Sequence, residues 1–383
     1  MIFRNPQPPH PDVRRLWLGT YPVPGTSSGT GEGVWRVDLD LAAGRFDAAR
    51  QVVVTASPSF VALSPDGRTL YAVGEATEGT VSAFGVDDDA DGDRLEPLAT
   101  VSSGGADPCH VVAGPAAVWV ANYSSGTFTT VPVDASGSFA GEASSYEGEG
   151  TGPVADRQEG PHAHYAVATP DGSAAWVVDL GADRVRRYRV TPDGTGVEPA
   201  GTAATLPPGT GTGPRHLVFG ADGTAGEGRA FVVGELDNQV HVLALGADDV
   251  GLLTAEPVTA VPACATPGPE GVGAFPSHVA LSSDGSRLYV AVRGPDVVAV
   301  LDLVPDDAGV RLVHRADVPL AGVWPRHFAV LETVEGDVLV VAGQNSSTLE
   351  ALRVLPGSGG SEPVASLALP SPACVVERRI LEG

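Results

Sequence analysis

One pattern recurs along this 383-residue chain and excludes most folds. It runs proline, two or three small or polar residues, a short apolar stretch, a turn such as Ser-Pro-Asp-Gly, then an aromatic-led apolar stretch. Residues 58–73 (PSFVALSPDGRTLYAV) give its clearest form, and it returns from Pro108, Pro161, Pro214, Pro276 and Pro325. Successive prolines lie 50, 53, 53, 62 and 49 residues apart, the length of one four-stranded sheet with its connections. Such units bury their apolar faces only against one another, so they must stack. A seventh unit is split. Residues 16–21 (LWLGTY) supply only the second half of the pattern, and residues 372–376 (PACVV) only the first, 47 residues after Pro325. Joining the two halves removes the exposed sheet edges that an open array would leave. The expected fold is an all-β, seven-bladed β-propeller with four-stranded antiparallel blades. Its ring is closed by N- and C-terminal strands sharing one blade, in a single domain over residues 1–383.

Composition agrees, with 49 Gly, 33 Pro and 43% hydrophobic residues, enough for many short strands and turns around a sizeable core. Residues 127–133 and 297–303 alternate as strands, whereas the Gly- and Ser-rich stretches 141–152, 207–213 and 263–273 read as long blade loops. The net charge is −24, from 47 acids against 23 bases that are all arginine. A field of that sign repels phosphate backbones and anionic lipid, so neither nucleic acid nor membrane is an expected partner. Cys109, Cys264 and Cys374 are too few and too scattered for a disulfide framework and read as buried free thiols. The polar, Pro-rich first residues lack an apolar leader core, and no apolar run reaches membrane length. A cytoplasmic protein, monomeric or a small homo-oligomer, is expected, which makes the sequons at Asn122 and Asn345 chance matches. The acidic run from Asp87 to Gly92 begins like a calcium loop but has Leu98 at the twelfth position, where an acid is needed, and reads as a solvated hairpin tip.

The first apolar stretch of each unit (strand A) and the second (strand B) form a hairpin. With A innermost, the start of A and the end of B share one mouth of the central channel. Two places after the proline stand Phe60, His110, Ala163, His216, His278, His327 and Cys374; the histidines recur with the architecture and read as buried scaffold. One place after it stand Ser59, Cys109, His162, Arg215, Ser277, Arg326 and Ala373, and the end of strand B gives Tyr21, Glu75, Tyr123, Leu180, Glu235, Arg293 and Gln344. Large ionisable groups break the repeat in these columns, and His164 breaks another filled by Val, Leu and Phe. The catalytic candidates are therefore His162, His164, Glu235, Arg215 and Arg293, with Arg326, Tyr21, Glu75, Tyr123 and Gln344 as substrate-binding candidates. Convergent arginines in an acidic chain point to a small anionic substrate, because guanidinium donates in pairs to carboxylate or phosphate. A His beside a Glu supplies the acid–base pair of ester hydrolysis or proton transfer. A metal reading on His162-Ala163-His164 with Glu235 is weak, lacking a carboxylate at fixed spacing, so no metal or cofactor is expected. There is no Walker loop.

Several of these stretches carry a family resemblance: Gly19-Thr20-Tyr21, Pro161-His162-Ala163-His164, the run Asp179-Leu180-Gly181-Ala182-Asp183-Arg184-Val185, Gly213-Pro214-Arg215-His216, Gly234-Glu235-Leu236, Arg293-Gly294 and Pro325-Arg326-His327. In combination they resemble the bacterial lactonase family, which includes propeller-type 6-phosphogluconolactonases and the fungal 3-carboxy-cis,cis-muconate lactonizing enzymes. The resemblance implies a seven-bladed propeller with a metal-independent site at the mouth. Its residues map onto His162 or His164, Arg215, Glu235 and Arg293; Val292 stands where that family carries Asn before the Arg-Gly pair. The leading expectation is a lactonase that hydrolyses an anionic sugar lactone such as 6-phosphogluconolactone. Arg215, Arg293 and Arg326 would hold the anion and the oxyanion, and His162 or His164, oriented by Glu235, would activate water. The alternatives are a muconate-type cycloisomerase, a non-catalytic propeller binding a small acid or a partner, and a six-bladed calcium-dependent lactonase of the regucalcin type, which the repeat count disfavours.

Overall fold

Short β-branched and aromatic runs between Gly/Pro turns suit narrow sheets packed on both faces. The computed structural model describes residues 12–22, 33–87, 94–207, 210–307 and 309–378. Most of the calcium-like run and the first eleven residues lie outside the described residues. Within these bounds, seven four-stranded antiparallel sheets form a ring. Blade 1 joins the C-terminal strand Pro372–Glu377 to Val13–Thr20, Val34–Asp40 and Arg45–Val53. Blades 2 to 7 follow in chain order, with inner strands Val61–Leu63, Pro108–Ala113, Ala163–Ala168, Pro214–Phe219, Phe275–Leu281 and Pro325–Thr333. At the closure Leu16 pairs with Glu377 and Gly19 with Cys374. A Cβ on Gly19 would run into the Pro58 carbonyl of blade 2, so the closing strand needs glycine there.

The second strand of a blade has a neighbouring blade on each face. Thr69–Gly74, Ala117–Asn122 and Ala174–Asp179 are accordingly buried at every residue, while in the outer strand Arg94–Ser102 only Leu95 is. The apolar core falls into seven clusters, one at each blade–blade contact. Seven blades in an open row would make six such contacts. The seventh is the closure: Leu16 and Val375 pack against blade 7, and Trp17 and Cys374 against blade 2. The stretch read as a loop over 141–152 contains a short outer strand, Ser144–Tyr146, whose backbone pairs with Phe128–Pro132 despite its weak β-formers. Asn122 is fully buried and donates to Ser103 O at 3.0 Å, so its sequon is closed to modification.

A girdle of rings blocks the channel midway, one from each of blades 2 to 7. Phe60, His110, Tyr165, His216, His278 and His327 touch in sequence at centroid separations of 4.3, 4.1, 4.4, 5.2 and 3.9 Å, and His327 returns to Phe60 at 5.2 Å. Cys374 takes the place in blade 1. The blade 4 member is Tyr165, not Ala163, which corrects the sequence columns. Opposite the end of strand B stand Pro108, Pro214 and Pro325, but in blade 4 Ala163 pairs with Asp179. The structural counterpart of the repeat proline is therefore Ala163, two residues beyond Pro161. His164, not His162, shares a position with Arg215 and Arg326.

Candidate active site

Above the girdle, each inner strand is irregular just where it meets the mouth. Register shifts leave Cys109, His164, Ser277 and Arg326 as extra residues unopposed by strand B, and Arg215 lies in the same interruption of blade 5. A bulge re-aims its side chain, so these positions line the floor of the mouth. The residues leaving strand B form a second ring above them. The Asp179–Val185 turn ties both rings together. Asp179 Oδ1 accepts from the backbone N–H groups of His162 at 2.8 Å and Ala182 at 3.2 Å. Gly181 lies where a Cβ would strike the Gly160 carbonyl and the His162 ring. Asp183, at φ 49°, accepts from Gly213 N at 2.8 Å, next to the segment bearing Arg215, and from Gln158 Nε2 at 2.7 Å. One turn thus places His162, Arg215 and the loop before His162.

Glu235 is the electrostatic centre. Its carboxylate meets Arg215 Nε at 3.0 Å, Arg293 Nη2 at 2.7 Å and Arg157 Nη2 at 2.7 Å. Burial alone would raise its pKa, but Arg293, Arg215, His164 and Arg157 together hold it well below the ordinary range. Arg215 carries the opposite stress, pushed down to about 9 by burial and by Arg293 and Arg326 nearby. Arg215 also donates to Ser277 O and approaches His216 Nε2 at 3.3 Å. Arg293 donates to Phe275 O at 3.1 Å and lies 5.3 Å from the Trp324 ring. Its placement comes from these partners, so the Val292 departure leaves it anchored. The expectation that Glu235 orients a histidine is corrected: its oxygens are taken by guanidinium groups.

The two candidate histidines differ in what surrounds them. His162 Nδ1 lies 2.9 Å from Tyr123 O, a pure acceptor, so Nδ1 donates there and the ring orientation is fixed. Its ring stacks on Tyr123 at 4.5 Å and 14°, and Nε2 lies 3.3 Å from the exposed Glu159 carboxylate. His164 is buried, with Nδ1 3.8 Å from Cys109 Sγ; burial first, then Arg215, pushes its pKa well below 6.5. Burial also pushes the Cys109 thiol far up, which excludes a thiolate there at neutral pH.

Tyr21, Glu75 and Arg326 form a separate half of the mouth. Tyr21 OH and Ser59 Oγ both donate to Glu75 Oε2, and Arg326 Nη2 donates to Tyr21 OH at 2.8 Å. Arg326 is held protonated: burial opposes this, but Tyr21, Glu75 and Glu235 outweigh it. Tyr123 OH accepts from Arg157 at 3.2 Å. Gln344 is bound to this network by none of its hydrogen bonds; its N–H donates to Trp324 O at 3.2 Å, and its buried Oε1 has no partner among the described residues. No metal-holding cluster of three or more His, Cys, Asp or Glu groups occurs among the described residues. Sequence reading missed Arg157, which sits outside the repeat in a loop; the available signal was a lone base in a run of Gly, Ser and acids. Four guanidinium groups (Arg157, Arg215, Arg293, Arg326) stand against three carboxylates (Glu75, Glu159, Glu235), which leaves this mouth at +1. A second cavity, of about 560 Å³, opens at the opposite end of the channel and is lined largely by apolar residues with Phe60, His110, Tyr165 and His327.

Ring and mouth define a β-propeller with a cationic, histidine-bearing cluster at one end of a plugged channel. The family model described as Lactonase, 7-bladed beta-propeller matches residues 15–377, and the chain belongs to that family. It is 30% identical over 363 residues to the 6-phosphogluconolactonase of Bacillus subtilis, covering 94% of this chain and 97% of that one. To the 6-phosphogluconolactonase of Formosa agariphila it is 26% identical, covering 88% and 92%. Among solved structures, the periplasmic gluconolactonase PpgL of Pseudomonas aeruginosa aligns with a TM-score of 0.80 at 28% identity, over 96% of this chain and 100% of that one.

Proposed function

We propose that the chain hydrolyses an anionic sugar-acid lactone, 6-phosphogluconolactone or a close relative, at the Arg/Glu/His mouth without a metal. The observation that carries this reading is a net-cationic cluster of four arginines inside a chain of net charge −24, tied through Tyr123 to His162. The names of the relatives point the same way and lend nothing to a cycloisomerase. Water gives a proton to His162 Nε2 as its oxygen attacks the lactone carbonyl, and the negative charge gathers on the former carbonyl oxygen beside Arg215 and Arg293. Glu159 supports the charged imidazole. Collapse breaks the ring C–O bond, His162 returns its proton to the departing alkoxide, and the open-chain acid leaves.

Arg157 is the outermost of the cluster, with 35% of its side chain exposed against 2% for Arg215. Among the described residues only its Nη2 is hydrogen-bonded, which leaves Nη1 and Nε to receive the phosphate or carboxylate of an incoming substrate. Its loop is pinned by the buried Gln158, so the guanidinium is presented and not merely tethered.

The test is the rate of 6-phosphogluconolactone opening by the purified chain against the spontaneous rate, with carboxymuconolactone as the competing substrate. Opening of the sugar lactone alone supports the reading; turnover of the muconate alone overturns it. His162→Asn is expected to lower kcat by about 10²–10⁴-fold, the ordinary worth of a general base, whereas His164→Asn should cost far less. Arg157→Gln is expected to raise KM for the phosphorylated lactone by about 10-fold or more while kcat changes little, as for loss of a charged hydrogen-bond donor.

A further inference from the structure

The mouth has two halves with different chemistry. Blades 3 to 6 and their loops carry Arg157, His162, His164, Arg215, Glu235 and Arg293, while blades 7, 1 and 2 carry Arg326, Tyr21, Ser59 and Glu75. The second half is built around a carboxylate whose oxygens are used unequally. Glu75 Oε2 accepts from both Tyr21 OH and Ser59 Oγ, and Oε1 has no hydrogen-bond partner among the described residues. Arg326 lies over the Tyr21 ring at 4.8 Å and, among the described residues, spends only Nη2, on the Tyr21 hydroxyl, which leaves Nη1 and Nε without a partner there. Ser59 is buried and the Glu75 backbone N–H is bonded to Ser57 O at 3.0 Å, which fixes the carboxylate from below. An unspent acceptor thus stands near unspent donors.

That pair of functions discriminates between lactones. A hydroxyl can donate to Glu75 and accept from Arg326, so a ring with adjacent hydroxyls satisfies both at once. A carboxylated hydrocarbon lactone supplies no hydroxyl donor, and a carboxylate brought near Glu75 is repelled. We propose that Glu75, held by Tyr21 and Ser59 and flanked by Arg326, is a hydroxyl-recognition subsite that restricts the mouth to polyhydroxylated, aldonic-acid-type lactones. This rests on the lactonase reading above and adds to it the feature that selects sugar over hydrocarbon substrates.

Glucono-δ-lactone and δ-valerolactone share a ring and differ in their hydroxyl-bearing substituents, and Glu75→Gln keeps an acceptor for Tyr21 and Ser59 while removing the charge and turning the second oxygen into a donor. The full chain is expected to prefer glucono-δ-lactone at least about 10-fold in kcat/KM, a preference that E75Q reduces by about 10- to 100-fold while δ-valerolactone opening stays within about twofold. Equal losses on both lactones in E75Q, or no preference in the parent chain, would overturn the subsite and leave the lactonase reading standing. If the chain opens neither of these neutral lactones, the lactonase reading stands or falls on 6-phosphogluconolactone, while calorimetric binding of gluconate against hexanoate decides the subsite alone. Preference for gluconate that disappears in E75Q supports it; equal affinity, no binding, or preference retained in E75Q overturns it.

Discussion

Glu235→Gln is expected to lower stability by about 3–5 kcal/mol, because it removes one partner from a buried charge cluster and leaves the others uncompensated. Arg215 and Arg293 are 2% and 5% exposed and cannot retreat to water, and Arg157 and Arg326 add their charge to the same mouth. Turnover should fall by about 10²–10³-fold as well, since the donors facing the oxyanion lose the anchor that holds them. An independent signature separates this from general misfolding. With Glu235 gone the mouth holds four guanidinium groups and two carboxylates, so added sulfate or phosphate should raise the melting temperature of E235Q more than that of the parent chain. Equal stability of the two proteins in chemical denaturation would show that Glu235 does not neutralise the cluster.

The second large effect is acid lability set by the four girdle histidines together with His164. Burial, joined by neighbouring positive groups, pushes His110, His164, His216 and His278 well below the ordinary 6.5, and His327 down to about 3. The folded state therefore refuses protons that the unfolded chain accepts once the pH drops below about 6.5. Stability is complete above that pH and is lost as the pH falls toward the depressed folded values. Each such histidine costs about 1.4 kcal/mol per pH unit below its unfolded value, so five together cost about 7 kcal/mol per unit. Denaturant titrations at pH 7, 6 and 5 should show this slope, with about five protons taken up on unfolding near pH 5. The window is diagnostic, because depressed carboxylates such as Glu235 lose their contribution only below about pH 4.5. His278→Phe should remove one histidine's share of the slope. Stability unchanged between pH 7 and 5 would contradict a neutral, buried girdle.

The ring and its closure were legible because they follow from counting. Each proline-led unit encodes a hairpin whose apolar faces need neighbours, and the split halves at Leu16 and Cys374 demand one another. The mouth columns were legible for the same reason, since register alone brings Glu75, Glu235 and Arg293 to one end of the ring. Three things escaped. Blade 4 slips by two residues against the proline pattern, so His164 takes the column assigned to His162, and periodicity carries no mark of that slip. Charge pairing is a matter of side-chain reach, and for that reason Glu235 was matched with histidine when three arginines surround it. Arg157 lies outside the repeat, where position in sequence says nothing of position in space.

The central claim is that an anionic sugar-acid lactone is bound and opened at the mouth built from His162, Arg157, Arg215, Arg293 and Arg326. A crystal structure with 6-phosphogluconate tests it most directly. The account predicts the ligand in that mouth, its anionic groups on the arginines, its hydroxyls toward Glu75 and its C1 carboxylate beside His162 Nε2. Ligand lodged instead in the opposite cavity against His110, Tyr165 and His327, with the mouth unchanged, would contradict it.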